Sequence, residues 1–298
     1  MLGKDLLCCP VCRGEIDVTG THRICARCAR DYPLANGFPV LVRDPAALDA
    51  DLSILREIKP DWYAAEQHSE IHSPWRHHLA KRRQYVERVL AAYLGRQGKS
   101  RAGTLLDLGC GDGANLDYLP RWADRVYATD YNAIRLARMQ VRFPAVTGFL
   151  SNLMELPVVS DACDVVFFNH VLEHTINDEG ALAEVLRILK PDGLLVLGVP
   201  NEGAWWWQRA YRRRPDILKA SDHRHFYTAS IIISKLIRQG FVIQECKELG
   251  WGPPDWDLNT RWRRHKWVDD LFSFVGCVLL RGQASSLYVV ASKPGTKL

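Results

Sequence analysis

The sequence predicts an α/β protein with a mostly parallel sheet, preceded by a small cysteine-bearing module. Three observations carry this reading. From residue 104 onward, short apolar runs alternate with amphipathic stretches, as strands alternate with helices in an α/β domain. The first of those runs, Thr104–Leu108, opens into a glycine cluster, the pattern of a ligand loop at the carboxyl end of a strand. Ahead of it, two Cys-x-x-Cys pairs lie within the first 28 residues.

Composition fits one large domain or a domain plus a module. The chain has 298 residues, 47% of them hydrophobic and 24% charged, enough to build a core. A net charge of +5 neither demands nor excludes a nucleic-acid partner. No apolar segment near the start reads as a secretory signal, so a cytoplasmic protein is expected. The longest apolar run, Leu271–Leu280, is too short to span a bilayer. Nine cysteines without an export signal argue for metal or free thiols, not a disulfide framework.

The first module is expected over residues 1–45. Cys9, Cys12, Cys25 and Cys28 form two Cys-x-x-Cys pairs that can present four thiolates to one tetrahedral ion, and a structural zinc is the expected occupant. Bound metal would supply the folding free energy that so short a segment lacks. Cys8 reads as a bystander and His22 as a weaker substitute ligand. The continuation Tyr32-Pro-Leu-Ala-Asn-Gly37-Phe-Pro39-Val-Leu resembles the end of the small zinc-ribbon proteins that activate tRNA and release-factor methyltransferases. That resemblance spans residues 5–43.

Residues 46–100 read as a helical linker and cover segment. A helix is expected over 46–59 from the spacing of Leu48, Leu52, Leu55 and Ile58. An aromatic and histidine-rich arm follows (Trp62, Tyr63, His68, His72, Trp75, His77, His78), then a second helix over Leu79–Leu94 with Leu79, Val86, Leu90 and Tyr93 on one face.

The domain proper is expected from 101 to 298. In Thr104–Leu119, Gly109, Gly111 and Gly113 allow a tight turn and a close ligand approach, and a helix start is expected beyond them. The spacing lacks the sixth-position glycine of the dinucleotide fingerprint. Asp-x-Gly-x-Gly-x-Gly resembles motif I of class I S-adenosylmethionine (SAM) dependent methyltransferases. On that resemblance the loop, Cys110 included, cradles the methionine part of SAM and Asp107 orients its amino group. Asp130 closes a second strand about 20 residues on, with Tyr131 beside it, placed to accept ribose hydroxyls. Ser151-Asn152-Leu153-Met154-Glu155-Leu156-Pro157 resembles the adenine-contacting segment, with Asn152 in place of the usual Asp. Asn169-His170-Val171-Leu172-Glu173-His174 carries the "HVLEH" signature of the ubiquinone/menaquinone-type enzymes, whose cofactor wall includes Asn169 and His170. The resemblance spans roughly residues 100–245 and implies a Rossmann-like sheet of seven strands with an antiparallel last strand. Those strands are expected near 104–108, 125–129, 146–150, 164–168, 193–199, 241–246 and 286–292, the last forming a hairpin with its predecessor.

SAM carries an activated methyl group, so the protein must place a nucleophile and, for a hydroxyl, remove its proton. Candidate groups are His170, Glu173 and His174, then Asp222, His223 and His225 in the sequence SDHRHFYT. His223 is the preferred general base, with His174 and Glu173 beside it. The Asn-Pro-Pro-aromatic motif of many base-amino methyltransferases is absent, as is the Pro-Cys nucleophile of cytosine-C5 enzymes.

An insert near 200–227 holds Trp205, Trp206 and Trp207, then Arg212–Arg214. Arg261-Trp262-Arg263-Arg264-His265-Lys266-Trp267 repeats the mixture further on. Such segments suit a substrate lid or homodimer contact, a peripheral membrane contact, or stacking on glycans or nucleotides. The expected activity is SAM-dependent O-methylation of a small-molecule, glycan or lipid-linked acceptor. The alternatives are an RNA methyltransferase, which the mild charge disfavours, and a silent SAM-binding partner module.

Overall fold

The computed structural model describes residues 6–17, 23–46, 57, 64–66, 70–216, 222–253 and 255–295. His22, Trp62, Tyr63, His68 and nearly all of the helix expected over 46–59 lie outside the described residues. The chain divides into two units. The first comprises Met1–Gln67, Arg101–Val166 and Ala183–Lys190, the second His68–Ser100, Phe167–Leu182 and Pro191–Leu298.

In the first unit, β1 (Ile16–Asp17), β2 (Arg23–Cys25) and β3 (Asp31–Tyr32) form a small antiparallel sheet. A hairpin follows, β4 (Leu34–Ala35) and β5 (Phe38–Leu41), closed by Asn36-Gly37. Both turn residues have positive φ, 51° and 84°, the conformation a two-residue hairpin requires and an Asn-Gly pair supplies. The parallel part of the unit is built from β6 (Ala102–Leu108), β7 (Ala123–Asp130) and β8 (Thr147–Ser151). Their registers, Leu106 opposite Tyr127 and Ala128 opposite Gly148, place the carboxyl ends of β6 and β7 side by side. Leu105, Leu106, Leu108 and Phe149 are fully buried, as expected of parallel strands covered on both faces.

The hairpin is not confined to the cysteine-bearing segment. β5 pairs in parallel with β8, Val40 opposite Leu150 and Leu41 opposite Ser151. Gly148 leaves room for it, since a Cβ there would lie 2.9 Å from the Phe38 ring. The hairpin thus covers an edge of β8 that would otherwise expose unpaired backbone groups. For that reason the strand count rises by two over the expected seven, to nine among the described residues.

In the second unit, helix α1 (Arg76–Arg96) buries Tyr85, Val86, Val89, Leu90, Tyr93 and Leu94 on one face. Strand β9 (Cys163–Asn169) carries the chain from the first unit into the second. Back in the first unit, between β7 and β8, the chain forms α2 (Ala133–Arg142), capped by Asn132, whose Oδ1 accepts from the N–H groups of Ile134 and Arg135. Helix α3 (Asp178–Ile188) leads into β10 (Leu189–Pro200), the stretch Ala183–Lys190 of the two counting with the first unit, and α4 (Trp205–Arg213) and α5 (Ala229–Gln239) follow in the second. Thr228 caps α5 at its start and Gly240, at φ 98°, ends it. The last strands are β11 (Val242–Leu249) and β12 (Ser286–Ser292), in the order β11-β12-β10, all antiparallel. The expected antiparallel pairing of β11 with β12 is present, yet no tight hairpin joins them. The connection carries α6 (Trp256–Arg263), α7 (Lys266–Phe274) and a π turn at Val275–Leu279.

One expected element differs. Past the glycine loop the chain makes two short 3-10 turns, Ala114–Asp117 and Leu119–Trp122, in place of an α-helix. Pro120 in the second turn has no N–H to continue an α-helical ladder.

Candidate functional site

The glycine loop is held by the strand beside it. The N–H groups of Gly109 and Cys110 both donate to the Thr129 carbonyl, at 2.8 and 3.0 Å. Asp130 then fixes the turn: its Oδ2 accepts from Gly111 N–H at 2.9 Å and its Oδ1 from Asn132 N–H at 2.9 Å. The expected ribose acceptor is therefore also the clamp of the loop, since a carboxylate oxygen that accepts one backbone bond can accept a second. Gly109, Gly111 and Gly113 all have positive φ, 68°, 55° and 83°. A Cβ at Gly113 would lie 3.0 Å from both Met139 and Phe143. Gly113→Ala is expected to cost about 1–3 kcal/mol of stability, read from the denaturant midpoint of the purified variant. A midpoint equal to that of the parent would contradict the strain argument.

Asp107 lies on β6 just before the loop and is 1% exposed. Its Oδ2 is buried without a hydrogen-bond partner. Burial, helped by the nearby Asp130 carboxylate, pushes its pKa up to about 8. A buried carboxyl group with an unused oxygen beside a glycine cradle fits a ligand that brings a cationic donor, such as the amino group of SAM. Cys110 contributes its backbone; its thiol is buried and its pKa is driven well up by that burial. Tyr131 is half-buried at the start of the β7–α2 turn. Asn152 caps the 3-10 turn Leu153–Glu155, its Oδ1 accepting from Met154 N–H at 3.0 Å. Its amide N–H₂ is the group suited to a base edge.

A second cluster belongs to the second unit. Asn169, expected on a cofactor wall, is part of a polar network: its Oδ1 accepts from Tyr288 Oη at 2.8 Å and Arg82 Nη2 at 3.1 Å. His170 adopts φ 54°, unusual outside glycine, with its N–H on the Gly198 carbonyl. Its Nε2 is buried without a partner, and burial followed by the Arg82 charge keeps the ring neutral. Glu173 is 1% exposed, its Oε2 has no partner, and burial pushes its pKa up to about 7. The Glu173 carbonyl accepts from the N–H groups of Arg224 and His225, which brings the SDHRHFYT segment alongside.

His174 and His223 meet edge to face with ring centroids 4.7 Å apart, and His174 Nδ1 lies 3.2 Å from the Asp222 carbonyl. His223 Nδ1 lies 2.5 Å from Glu202 Oε2. Burial opposes a charge on His223, but Glu202 outweighs it and raises the imidazole pKa. Glu202 is the residue that sequence reasoning missed. It sits in the turn after β10, where Asn-Glu-Gly reads as ordinary loop chemistry. Glu173, His174 and His223 present ligating atoms within 4.8 Å of one another, compact enough to pass a proton or share a cation. His225, also a candidate, faces elsewhere: its Nε2 meets the Thr175 carbonyl and its Nδ1 approaches Asp178.

The cysteine cluster is assembled as expected. Sγ of Cys9 and Cys28 lie 3.7 Å apart, those of Cys12 and Cys25 3.4 Å. The edge of a tetrahedron with 2.3 Å metal–sulfur bonds is about 3.8 Å. The N–H groups of Val11 and Cys12 point at Cys9 Sγ and that of Cys28 at Cys25 Sγ, so the backbone already favours thiolates. The donor set fits zinc. Cys8 is buried and lies outside this cluster.

A glycine loop after the first parallel strand, clamped by the acid that ends the second, defines a nucleoside-cofactor-binding α/β domain. The chain belongs to the family described as "Methyltransferase domain", which matches residues 75–245. It carries a SAM-dependent methyltransferase domain. It is 31% identical over 160 residues to "Probable S-adenosylmethionine-dependent methyltransferase" of Mycobacterium tuberculosis, covering 54% of this chain and 56% of that protein. To the "Ubiquinone/menaquinone biosynthesis C-methyltransferase" of Campylobacter jejuni it is 23% identical over 129 residues, covering 40% and 52%. The fold is shared with N-methyltransferase NodS from Bradyrhizobium japonicum, at a TM-score of 0.52 and 15% identity, over 83% of this chain and 98% of that one. The matches span about half the length of these curated relatives.

Proposed function

We propose that the chain transfers a methyl group from SAM to a hydroxyl of a small-molecule, glycan or lipid-linked acceptor. When bound, SAM supplies an activated methyl group on a sulfonium. The chain's own residues do the remainder. Asp107 and the amides of the 109–113 loop hold the amino-acid end, and Asp130, Tyr131, Asn152 and Leu153 the nucleoside. His223, oriented by Glu202, takes the acceptor's proton at the ring nitrogen that does not face the carboxylate. A neutral imidazole with a raised pKa suits that task near neutral pH. The observation that carries the reading is Asp107, a buried carboxyl group with an unused oxygen. We also assign a closed, structural zinc to Cys9, Cys12, Cys25 and Cys28.

The reading is tested by calorimetry with SAM and by a labelled-methyl assay on cell-extract fractions. Label in small molecules, glycans or lipid supports it; label in RNA, or binding without transfer, overturns it. Asp107 adds a pH signature. Its raised pKa leaves it largely protonated at pH 7, while a cationic partner favours the ionised form. SAM binding at pH 7 is therefore expected to release a proton, and affinity should strengthen from pH 6 to about 8. Calorimetry in buffers of different ionisation enthalpy reads this directly. No proton release, or release that persists in Asp107→Asn, would remove Asp107 from the role.

A further inference from the structure

Helix α7 and the π turn after it have two faces of opposite character. The inner face is pinned. Val268 and Phe272 are buried, and the Phe272 ring meets Trp251 edge to face. Asp269, fully buried, pairs with Arg263 at 2.7 Å and with Lys81 at 2.7 Å. Gly276 brings the π turn against Trp251, where a Cβ would collide with that residue's side chain and with the Gly250 carbonyl. The orientation of the element is thus fixed by a buried ion pair, an aromatic contact and a steric requirement.

The outer face is apolar and open. Trp267, Leu271, Phe274 and Val278 follow one another at i, i+4, i+7 and i+11, one stripe of a helix. Their exposures are 69%, 50%, 53% and 50%, and Leu279 beyond them reaches 64%. Core packing does not explain so many large exposed side chains in a single row, and such patches mark interaction surfaces. The rim is basic: Arg261, Arg264, Lys266 and Arg281 are all exposed. Asp270, an acid of α7, is engaged by Lys81 at 2.8 Å and Lys266 at 2.7 Å.

We infer that this face is a membrane-docking surface that lies in the headgroup region of an anionic phospholipid bilayer. The charge distribution selects that occupant. An isologous contact with a second copy would bring two cationic rims together, which repel. An anionic lipid surface attracts the rim, accepts the apolar stripe at the acyl boundary and suits Trp262 and Trp267 at headgroup depth. The stripe is too long and too apolar to serve a purely electrostatic grip on RNA. The surface also favours lipid-borne acceptors for the methyl transfer proposed above, a consequence that rests on that reading.

The test is co-sedimentation of the full chain with vesicles of phosphatidylserine and phosphatidylcholine, against pure phosphatidylcholine, without SAM. Binding is expected to the anionic vesicles and to weaken with salt. Leu271→Glu/Phe274→Glu should weaken it more than about tenfold. Arg261→Gln and Arg264→Gln should weaken it about fivefold each. SAM affinity should stay unchanged in all of them, which shows that the variants fold. No sedimentation with anionic vesicles at low salt overturns the inference, as does undiminished binding by Leu271→Glu/Phe274→Glu. A dimer in sedimentation velocity that these substitutions dissociate, without vesicle binding, would assign the face to a second copy instead. Vesicle binding is read without turnover, so it stands or falls independently of the methyl-transfer reading.

Discussion

His223→Ala is expected to lower turnover by about 10²–10⁴-fold while leaving SAM affinity within about twofold. The imidazole touches Glu202 through Nδ1, so the carboxylate fixes the tautomer and leaves Nε2 to accept a proton. Glu202 is 4% exposed, which makes the pairing strong and the unpaired alternative costly. Glu173 and Asp222 add negative charge around the ring, and His174 stands against it. Glu202→Gln should therefore also lower turnover, with a distinct pH signature. A base must be neutral, so the rate rises as pH climbs through the raised His223 pKa. Removing Glu202 removes the cause of the raise, and the acid limb moves to lower pH. Because Glu173 titrates nearby, with its pKa pushed up to about 7, the limb belongs to the cluster and not to one residue. The same pairing bears on stability. A histidine with a raised folded pKa stabilises most below its unfolded pKa near 6.5, and the contribution is lost as pH rises through the folded value. Unchanged turnover in His223→Ala, or an unmoved acid limb in Glu202→Gln, would take the pair out of proton transfer.

What the sequence made legible follows from how local its determinants are. The 109–113 loop was readable because positive φ at three alternate positions nearly dictates glycine. The parallel strands were readable because buried strands read as unbroken apolar runs. The four cysteines announced themselves by spacing. What stayed hidden depends on pairing between distant segments. Phe38–Leu41 reads as the tail of a ribbon, and nothing in its period reveals that it pairs with β8. Glu202 is a loop acid until a histidine 21 positions later lies against it. Asn169 reads as a cofactor contact, and no local pattern shows that its oxygen also accepts from Arg82 and Tyr288, which come from helix and strand far away in sequence. The tryptophan triplet divides in the same way. Trp207 is core with Tyr211, Trp206 leans toward Trp251, and Trp205 is exposed. Composition could mark that segment as unusual but could not divide it.

Removing the zinc proposed for the cysteine cluster is expected to do more than unfold the segment around it. Structural zinc supplies about 10–16 kcal/mol to small domains of this kind, more than the short strands β1–β3 can replace. With Cys9→Ser/Cys12→Ser, or after exhaustive chelation, the segment around residues 6–43 should lose its structure. Its contacts within the first unit lie along the segment that carries Asn152 and Leu153. β5 pairs with Leu150 and Ser151, and Leu7 bridges to Val158. Cys8 N–H donates to the Pro157 carbonyl, and Arg43 meets Glu155 at 2.9 Å. Arg13 donates to the Leu156 carbonyl and pairs with Glu184 at 3.1 Å. Loss of this segment's structure strips these supports from residues 150–158 at once and re-exposes the edge of β8. SAM affinity should then fall about tenfold, equivalent to about 1.4 kcal/mol, because the segment proposed to hold the nucleoside loses its backing while the Asp107–Gly113 side is retained. Calorimetry before and after chelation, with metal content measured in parallel, reads the coupling. Re-addition of zinc should restore both. Unchanged SAM affinity in a zinc-free protein would show that the 150–158 segment holds itself, and bound metal below one equivalent in the parent would remove the zinc assignment.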